Sequence, residues 1–377
     1  MNDKLHIVCF TIPYPVNYGG IFDLFYKLKA LKENGVAIHL HCIQYGSNIH
    51  QPELEKYCTK VSYYKRKKIF PIHLWGLPYI VKSRIIKELV QTINQDKAPV
   101  LIEGIHCSGI APLITGSRKI IIRLHNAEYV YYDNLANSTL NIVKRIYYKS
   151  ESKRLKVWEK FLVDKGYSFN TVSLLDKKIY ETQLNCKNVS YLPLFLPDWK
   201  IKNSLLGKGT FCLYQGNLDV EENQEAVKWL IQNVFTKIDV RLYVAGKSNG
   251  KFVRQYHSNN TRISWFENPS DQEMNALIEN AHIHILPSFN ATGIKIKLLN
   301  ALYNGRFCLV NEATVKDSGL EQLCTVANSA EDFQEKIMNL FEQSFSQKDI
   351  DFRTTILDKI FDNKKNAMLL KQQLFET

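Results

Sequence analysis

Apolar and polar positions along this chain alternate between two periods. Residues 5–12 are nearly all apolar, residues 22–33 repeat apolar side chains at helical spacing as far as Gly35, and residues 37–44 return to a strand pattern. The chain therefore opens as strand, helix, strand. Apolar runs at 100–103, 119–125 and 167–173 predict further strands, and the heavily charged stretch 142–164 predicts a long helix. Runs this apolar suit strands buried on both faces. After a polar stretch with two glycines at 200–209 the alternation starts afresh, with strands at 211–215, 241–245, 262–266, 282–286, 307–310 and 323–327. Helices are expected between them at 223–235, after Ser270, at 294–303, at 331–341 and at 352–375. Ser270 with Glu273 makes a capping box, and Gly305 closes the 294–303 helix. Two successive strand–helix series predict an α/β protein with two doubly wound parallel sheets. The expected divisions are a first domain at 1–199, a linker at 200–209, a second domain at 210–350, and a helix at 351–377 packing back on the first domain.

Composition narrows the class. A length of 377 residues exceeds what one core usually supports, and 45% hydrophobic with 23% charged residues is ordinary for globular chains. The first residues lack the apolar core and cleavage site of a signal peptide and read as a first strand, and residues 69–81 hold two prolines and are too short to span a bilayer. The eight cysteines are scattered without a C-x-x-C pair and read as reduced core residues of a cytoplasmic protein. A net charge of +12 suits an anionic partner, whether nucleic acid, anionic lipid or a nucleotide diphosphate, without choosing among them.

In open sheets of this kind ligands bind beyond the carboxyl ends of strands, so the loops that follow strands carry the candidate chemistry. Gly19 and Gly20 follow the first strand and precede a helix, where backbone amides can approach an anion. Arg123-Leu124-His125-Asn126-Ala127-Glu128 delivers an imidazole, an amide and a carboxylate to one strand end. Gly216-Asn217 and Gly246-Lys247 pair glycine with a polar or cationic side chain at two more strand ends, the pattern of a phosphate or nucleotide pocket. The segment from Pro287 through Thr292, Gly293, Lys295, Lys297 and Asn300 opens a helix, and two lysines in its first turn oppose the helix dipole unless an anion offsets them. Neither a G-x-G-x-x-G fingerprint nor a Walker-type loop is present, which counts against simple dehydrogenases and P-loop kinases.

Taken in order, the Gly-Gly loop, the strand-end His with Asn and Glu, the Gly-Asn turn, the Ala-Gly-Lys turn and the Gly-x-x-x-Lys helix resemble the family 4 glycosyltransferases over nearly the whole chain. The resemblance implies a GT-B fold, two Rossmann-like domains facing each other across a cleft. It also implies transfer of a sugar from a nucleotide-diphosphate donor to a glycan or lipid-linked acceptor, with retention of configuration and with no metal or other cofactor. It places the acceptor near Gly19, Gly20 and His125, and the donor diphosphate near Gly216, Gly246, Lys247, Gly293, Lys295 and Lys297. His125 and Glu128 become the catalytic candidates, with cationic and backbone donors stabilising the departing diphosphate. Two departures stand out. The Glu-x7-Glu motif of the family falls on Thr292 and Asn300, and the arginine usual after the glycine of the first turn is Asn217. The resemblance implies a nucleotide ribose at the second motif position, where Asn300 can still hydrogen-bond a hydroxyl but without the charge. Asp349-Ile350-Asp351 precedes a helix and reads as a cap rather than a metal motif.

The basic-aromatic stretch from Tyr63 to Lys68, followed by 69–81 with Trp75, reads either as a strand with a solvated basic loop or as a contact with an anionic membrane surface, at the inner face of the membrane. Residues 144–165 read as a solvated helix surface laced with ion pairs. Three alternatives differ in class: an inactive GT-B binding subunit, motivated by Thr292 and Asn300; a sugar-nucleotide 2-epimerase; and a nucleic-acid binder, which the sequence disfavours because no RNA-binding signature accompanies the charge.

Overall fold

A computed structural model describes residues 3–16, 19–44, 50–68, 76–139, 141–256, 261–289 and 293–376. The chain divides into two compact units, Met1–Pro197 with Ile360–Thr377, and Asp198–Lys359. The first unit is built on β1 (Asp3–Cys9), β2 (Val36–Gln44), β3 (Lys60–Lys65), β4 (Val100–Glu103), β5 (Ile120–Leu124), β6 (Ser168–Thr171) and β7 (Val189–Tyr191). These strands are parallel and lie in the order β3-β2-β1-β4-β5-β6-β7.

Alternate residues of the central strands feed two cores, one on each face. Val8, Ile43, Ile102 and Ile122 pack with Leu89, Leu155 and Trp158. Leu5, Ile7 and Cys9 pack on the other face with Leu24, Leu28 and Leu31 of the Gly19–Glu33 helix. Ala367, Leu370 and Leu374 join this second core from the Asn363–Phe375 helix. That helix is held by Asn363, which accepts from the Leu196 amide and donates to the Leu196 carbonyl, and by Asn170, which donates to Gln373.

The second unit carries β8 (Cys212–Gln215), β9 (Leu242–Gly246), β10 (Ile263–Glu267), β11 (Ile283–Ile285), β12 (Phe307–Val310) and β13 (Thr325–Val326), parallel and ordered β10-β9-β8-β11-β12-β13. In both sheets the strand order reverses beside the first strand, between β1 and β4 and between β8 and β11. Those reversals open the crevices where doubly wound folds take ligands.

Several elements differ from expectation. The single helix predicted at 352–375 is two, Gln347–Ile360 and Asn363–Phe375, because Asp362 accepts from the Lys365 amide and caps a new start. Asp349 therefore lies within the first turn of a helix, accepting from the amide and hydroxyl of Ser346, rather than ahead of it. Lys60–Lys65 forms an edge strand in which Tyr63 accepts from the Gln51 amide and Tyr64 bonds His41. Residues 69–75 of the proposed membrane contact, including Trp75, lie outside the described residues. The Ser270–Glu273 capping box forms as expected. The eight cysteines are unpaired, and all but Cys324 are buried. No helix among the described residues is long and apolar enough to cross a membrane.

Candidate functional site

In the first unit the carboxyl ends of β1, β4 and β5 bring together Phe10, Glu103, His106, His125 and Glu128. The His125 ring meets Phe10 edge-on at 5.6 Å and its Nε2 lies 3.1 Å from Glu103 Oε2. Glu103 is held below the usual carboxylate range: burial pushes it up, but Lys27 and His125 outweigh that effect. The ionised carboxylate thus accepts from Nε2–H of His125.

Behind this pair runs a buried chain of alternating charge. Lys27 Nζ donates to Glu103 at 2.6 Å and to Asp23 at 2.8 Å, and Arg123 grips both Asp23 oxygens at 3.1 and 2.9 Å. Asp23 also accepts from the Phe195 amide, while Arg123 donates to the carbonyls of Leu192 and Pro193. Two cations balance two anions, so removing any one of them leaves a buried charge uncompensated. Asp23, Glu103 and His125 offer ligand atoms within 4.8 Å of one another, and Lys27 already supplies a cation between the carboxylates.

Glu128 opens the Glu128–Ser138 helix and is buried. Burial pushes its carboxyl up to about 7, Asp176 adds to the effect, and a hydrogen bond from Asn126 opposes it. Its Oε1 lies 3.8 Å from Nδ1 of His106, a histidine absent from the sequence reading, whose ring packs on Phe10 at 5.2 Å. Burial, reinforced by Arg84, keeps His106 well below the usual histidine range and therefore neutral. A carboxyl titrating near neutral pH beside the neutral His106 imidazole at a strand end can both give and take a proton. Gly19 and Gly20 begin the Gly19–Glu33 helix, so they sit at its amino end rather than in a preceding loop.

In the second unit the two glycine turns touch. The Gly216 amide donates to the Ala245 carbonyl and the Leu218 amide to the Lys247 carbonyl. A Cβ on Gly246 would fall 1.8 Å from the Gly216 oxygen, so only glycine permits this approach. Asn217 turns inward, accepting from the Asp219 amide with its side chain and from Asn223 with its carbonyl, and Lys247 is exposed. Gly293, at φ 66°, leads into Lys295, the cap residue of the Ile296–Asn304 helix. Asn300 lies one turn into that helix and accepts from Asn304. Thr292 lies outside the described residues.

The counter-charge that the sequence reading assigns to a bound anion is supplied here by Glu222. Its carboxylate lies 3.2 Å from Lys295 Nζ and accepts from the Ser288 hydroxyl at 2.7 Å. Burial raises Glu222, but Lys295 and the Ser288 bond hold it below its ordinary value. Lys297 is half-buried; its Nζ donates to Tyr214 and Asn223, each at 2.9 Å, and stacks 4.7 Å over the Tyr214 ring. Burial lowers its pKa to about 8, with Glu222 opposing.

A histidine cluster lies apart from both strand ends. His6, His39 and His41 sit mid-strand on β1 and β2, where burial lowers His39 to about 4 and His41 to about 2. One tautomer set satisfies the chain: His6 Nε2 donates to Asp96, His6 Nδ1 accepts from His41 Nε2, and His41 Nδ1 accepts from the Tyr64 hydroxyl. Such an arrangement is a hydrogen-bonded core element.

Comparison with known proteins sharpens the class. No family model matches the chain. Its sequence is 29% identical over 390 residues to an uncharacterised 44.6 kDa protein in the cps region of Klebsiella pneumoniae, covering 96% of this chain and 97% of that relative. Among solved structures it is similar to a glycosyltransferase from Rickettsia africae ESF-5, with TM-score 0.66, 13% identity and 99% of each chain covered. It is also similar to WaaG, a glycosyltransferase involved in lipopolysaccharide biosynthesis, with TM-score 0.65, 12% identity, and 99% of this chain and 100% of that one covered. Anabaena HepE, solved with UDP and glucose, matches with TM-score 0.65, 11% identity and the same coverage. The fold is GT-B, two Rossmann-like units carrying parallel sheets of seven and six strands.

Proposed function

We propose that this protein is a metal-independent glycosyltransferase that moves a sugar from a nucleotide-diphosphate donor to a glycan or lipid-linked acceptor, with retention, in surface polysaccharide assembly. The observation that carries the reading is the second unit's strand-reversal point, where Lys295 and the half-buried Lys297 gather beside two touching glycine turns on a GT-B sheet. The similarity to HepE, solved with UDP and glucose, supports the donor class, and the relative in a cps region supports the pathway. In this reading Lys295 and Lys297 neutralise the leaving diphosphate. His125, oriented by Glu103, aligns the reacting hydroxyl, and Glu128 exchanges the proton.

The test is a thermal-shift and calorimetric screen against UDP, GDP, dTDP, CMP and their sugar conjugates. One nucleotide diphosphate should stabilise the protein, and Lys297→Ala should weaken that binding, while His125→Ala should lower turnover more than donor affinity. One observation favours a second reading, an inactive binding subunit: Glu222, Tyr214 and Asn223 already occupy the two lysines. A flat screen with intact protein would establish that reading instead.

A further inference from the structure

The Ile142–Asp164 helix turns Glu151, Leu155, Trp158, Glu159 and Leu162 into the first unit. At 100° per residue, Ile142, Val143, Ile146, Val157 and Phe161 fall within one arc of roughly 100° on the opposite side. They are open to solvent: Ile142 is 69% exposed, Val143 77%, Ile146 66% and Val157 73%. Every residue from 141 to 146 is exposed, so the start of the helix projects from the body. Isolated exposed aliphatics are ordinary, but a stripe of them along one helix is not.

Charge along the stripe is one-sided. Lys149 and Lys156 border it on one flank, Lys153 and Lys160 fall within its arc, and Arg154 and Lys165 lie on the other flank, with Lys149 paired to Asp133 and Arg154 to Glu151. Two of the helix's acids, Glu151 and Glu159, are buried on the inner face, and Asp164 at its far end pairs with Lys160. Beside Val157 and Phe161 lies an open groove of about 680 Å³, floored by Leu184 and rimmed by Lys156, Lys160, Lys165 and Asp164. Aliphatic side chains that no part of the described chain covers, edged by lysines with long flexible stems, match a surface that is apolar within and anionic at its rim.

We propose that this helix lies in the plane of an anionic lipid bilayer, with Ile142, Val143, Ile146 and Val157 entering the acyl boundary and the flanking lysines meeting lipid phosphates. The stripe belongs to an element with no other assigned role, is independent of the 63–81 stretch, and stands whether or not the protein transfers sugar. The test is co-sedimentation with vesicles of phosphatidylglycerol and phosphatidylethanolamine, against vesicles of phosphatidylcholine. The full chain should bind the anionic vesicles in a salt-sensitive manner. The triple variant Ile142→Ser, Val143→Ser, Ile146→Ser should lose at least about tenfold of that binding with an unchanged melting temperature. Lys153→Glu with Lys156→Glu should remove the preference for anionic lipid. Failure of the full chain to bind, or unchanged binding by the triple variant, overturns the proposal. So does a dimer in light scattering that the triple variant dissolves while vesicles are ignored, since the stripe would then cover a second copy of the chain.

Discussion

Lys297 offers the sharpest test of how the second unit divides stability from binding. A fall from 10.5 to about 8 corresponds to about 3 kcal/mol spent on keeping its ammonium charged inside the protein. Lys297→Met removes that charge at nearly constant volume. The change forfeits hydrogen bonds to Tyr214 and Asn223 worth about 1–2 kcal/mol together. It orphans neither partner: the Tyr214 hydroxyl still donates to Asn223 at 3.0 Å, and Asn223 still donates to the Asn217 carbonyl at 2.9 Å. The variant should therefore be more stable at pH 7 by about 1–2 kcal/mol, a rise of roughly 2–6 °C in the second unit's transition, while nucleotide-diphosphate binding falls at least about tenfold. The effect should depend on pH. Between about 8 and 10.5 the unfolded chain holds a proton on this lysine that the folded chain does not, so wild-type stability gains from this group as pH rises through that window. The advantage of the variant should then shrink. Paired melts of the two proteins from pH 7 to 10 measure it, and a variant less stable at pH 7, or a gap that ignores pH, refutes the reasoning.

Three other outcomes follow from the geometry. Glu128, raised from 4.5 to about 7 by burial, binds a proton in the folded state that the unfolded chain has lost. Its contribution is full below pH 4.5 and disappears as pH rises through 7, and Glu128→Gln should flatten that part of the stability profile; an unchanged slope in pH-dependent melts would sink the assignment. Glu103→Gln leaves Lys27 short of one counter-ion in a buried chain and should cost about 3–5 kcal/mol by chemical denaturation. A loss under 1 kcal/mol would show that the chain is not energetically coupled. Gly246→Ala drives a methyl to 1.8 Å from the Gly216 oxygen and should separate the two turns, lowering nucleotide affinity at least tenfold with a loss of at least about 2 kcal/mol in stability. Calorimetry at wild-type affinity would contradict it.

Much of this fold is visible in the sequence because its central strands are buried on both faces. Val100–Glu103, apolar as far as Ile102, and the wholly apolar Phe307–Val310 form strands with the predicted limits. β3 and β7 occupy the two edges of the first sheet, where one side stays wet and the run is broken by Lys60, Ser62 and Ser190, so β7 does not announce itself and β3 reads as a strand only as one of two alternatives. The break before Asn363 is equally quiet, since one capping aspartate interrupts a helical pattern that continues beyond it. The site shows the same division. His125 is legible because it ends an apolar run, and Lys295 and Lys297 because they oppose a helix dipole. Their partners are not: Glu103 lies 76 residues from Lys27, and Glu222 lies 73 residues from Lys295. The one local hint was Asp23 and Lys27, an i,i+4 pair set among apolar Leu24, Leu28 and Leu31 where a solvated pair would not sit.

The Asn363–Phe375 helix has a consequence for how the protein is made. Ala367, Leu370 and Leu374 complete a core begun by Leu5, Ile7 and Cys9, and Lys371 pairs with Asp3. A ribosome finishes the whole second unit before it supplies those side chains. The half of the molecule synthesised first is thus the half that closes last, and until then its Gly19–Glu33 helix presents an open apolar flank to the translating cell.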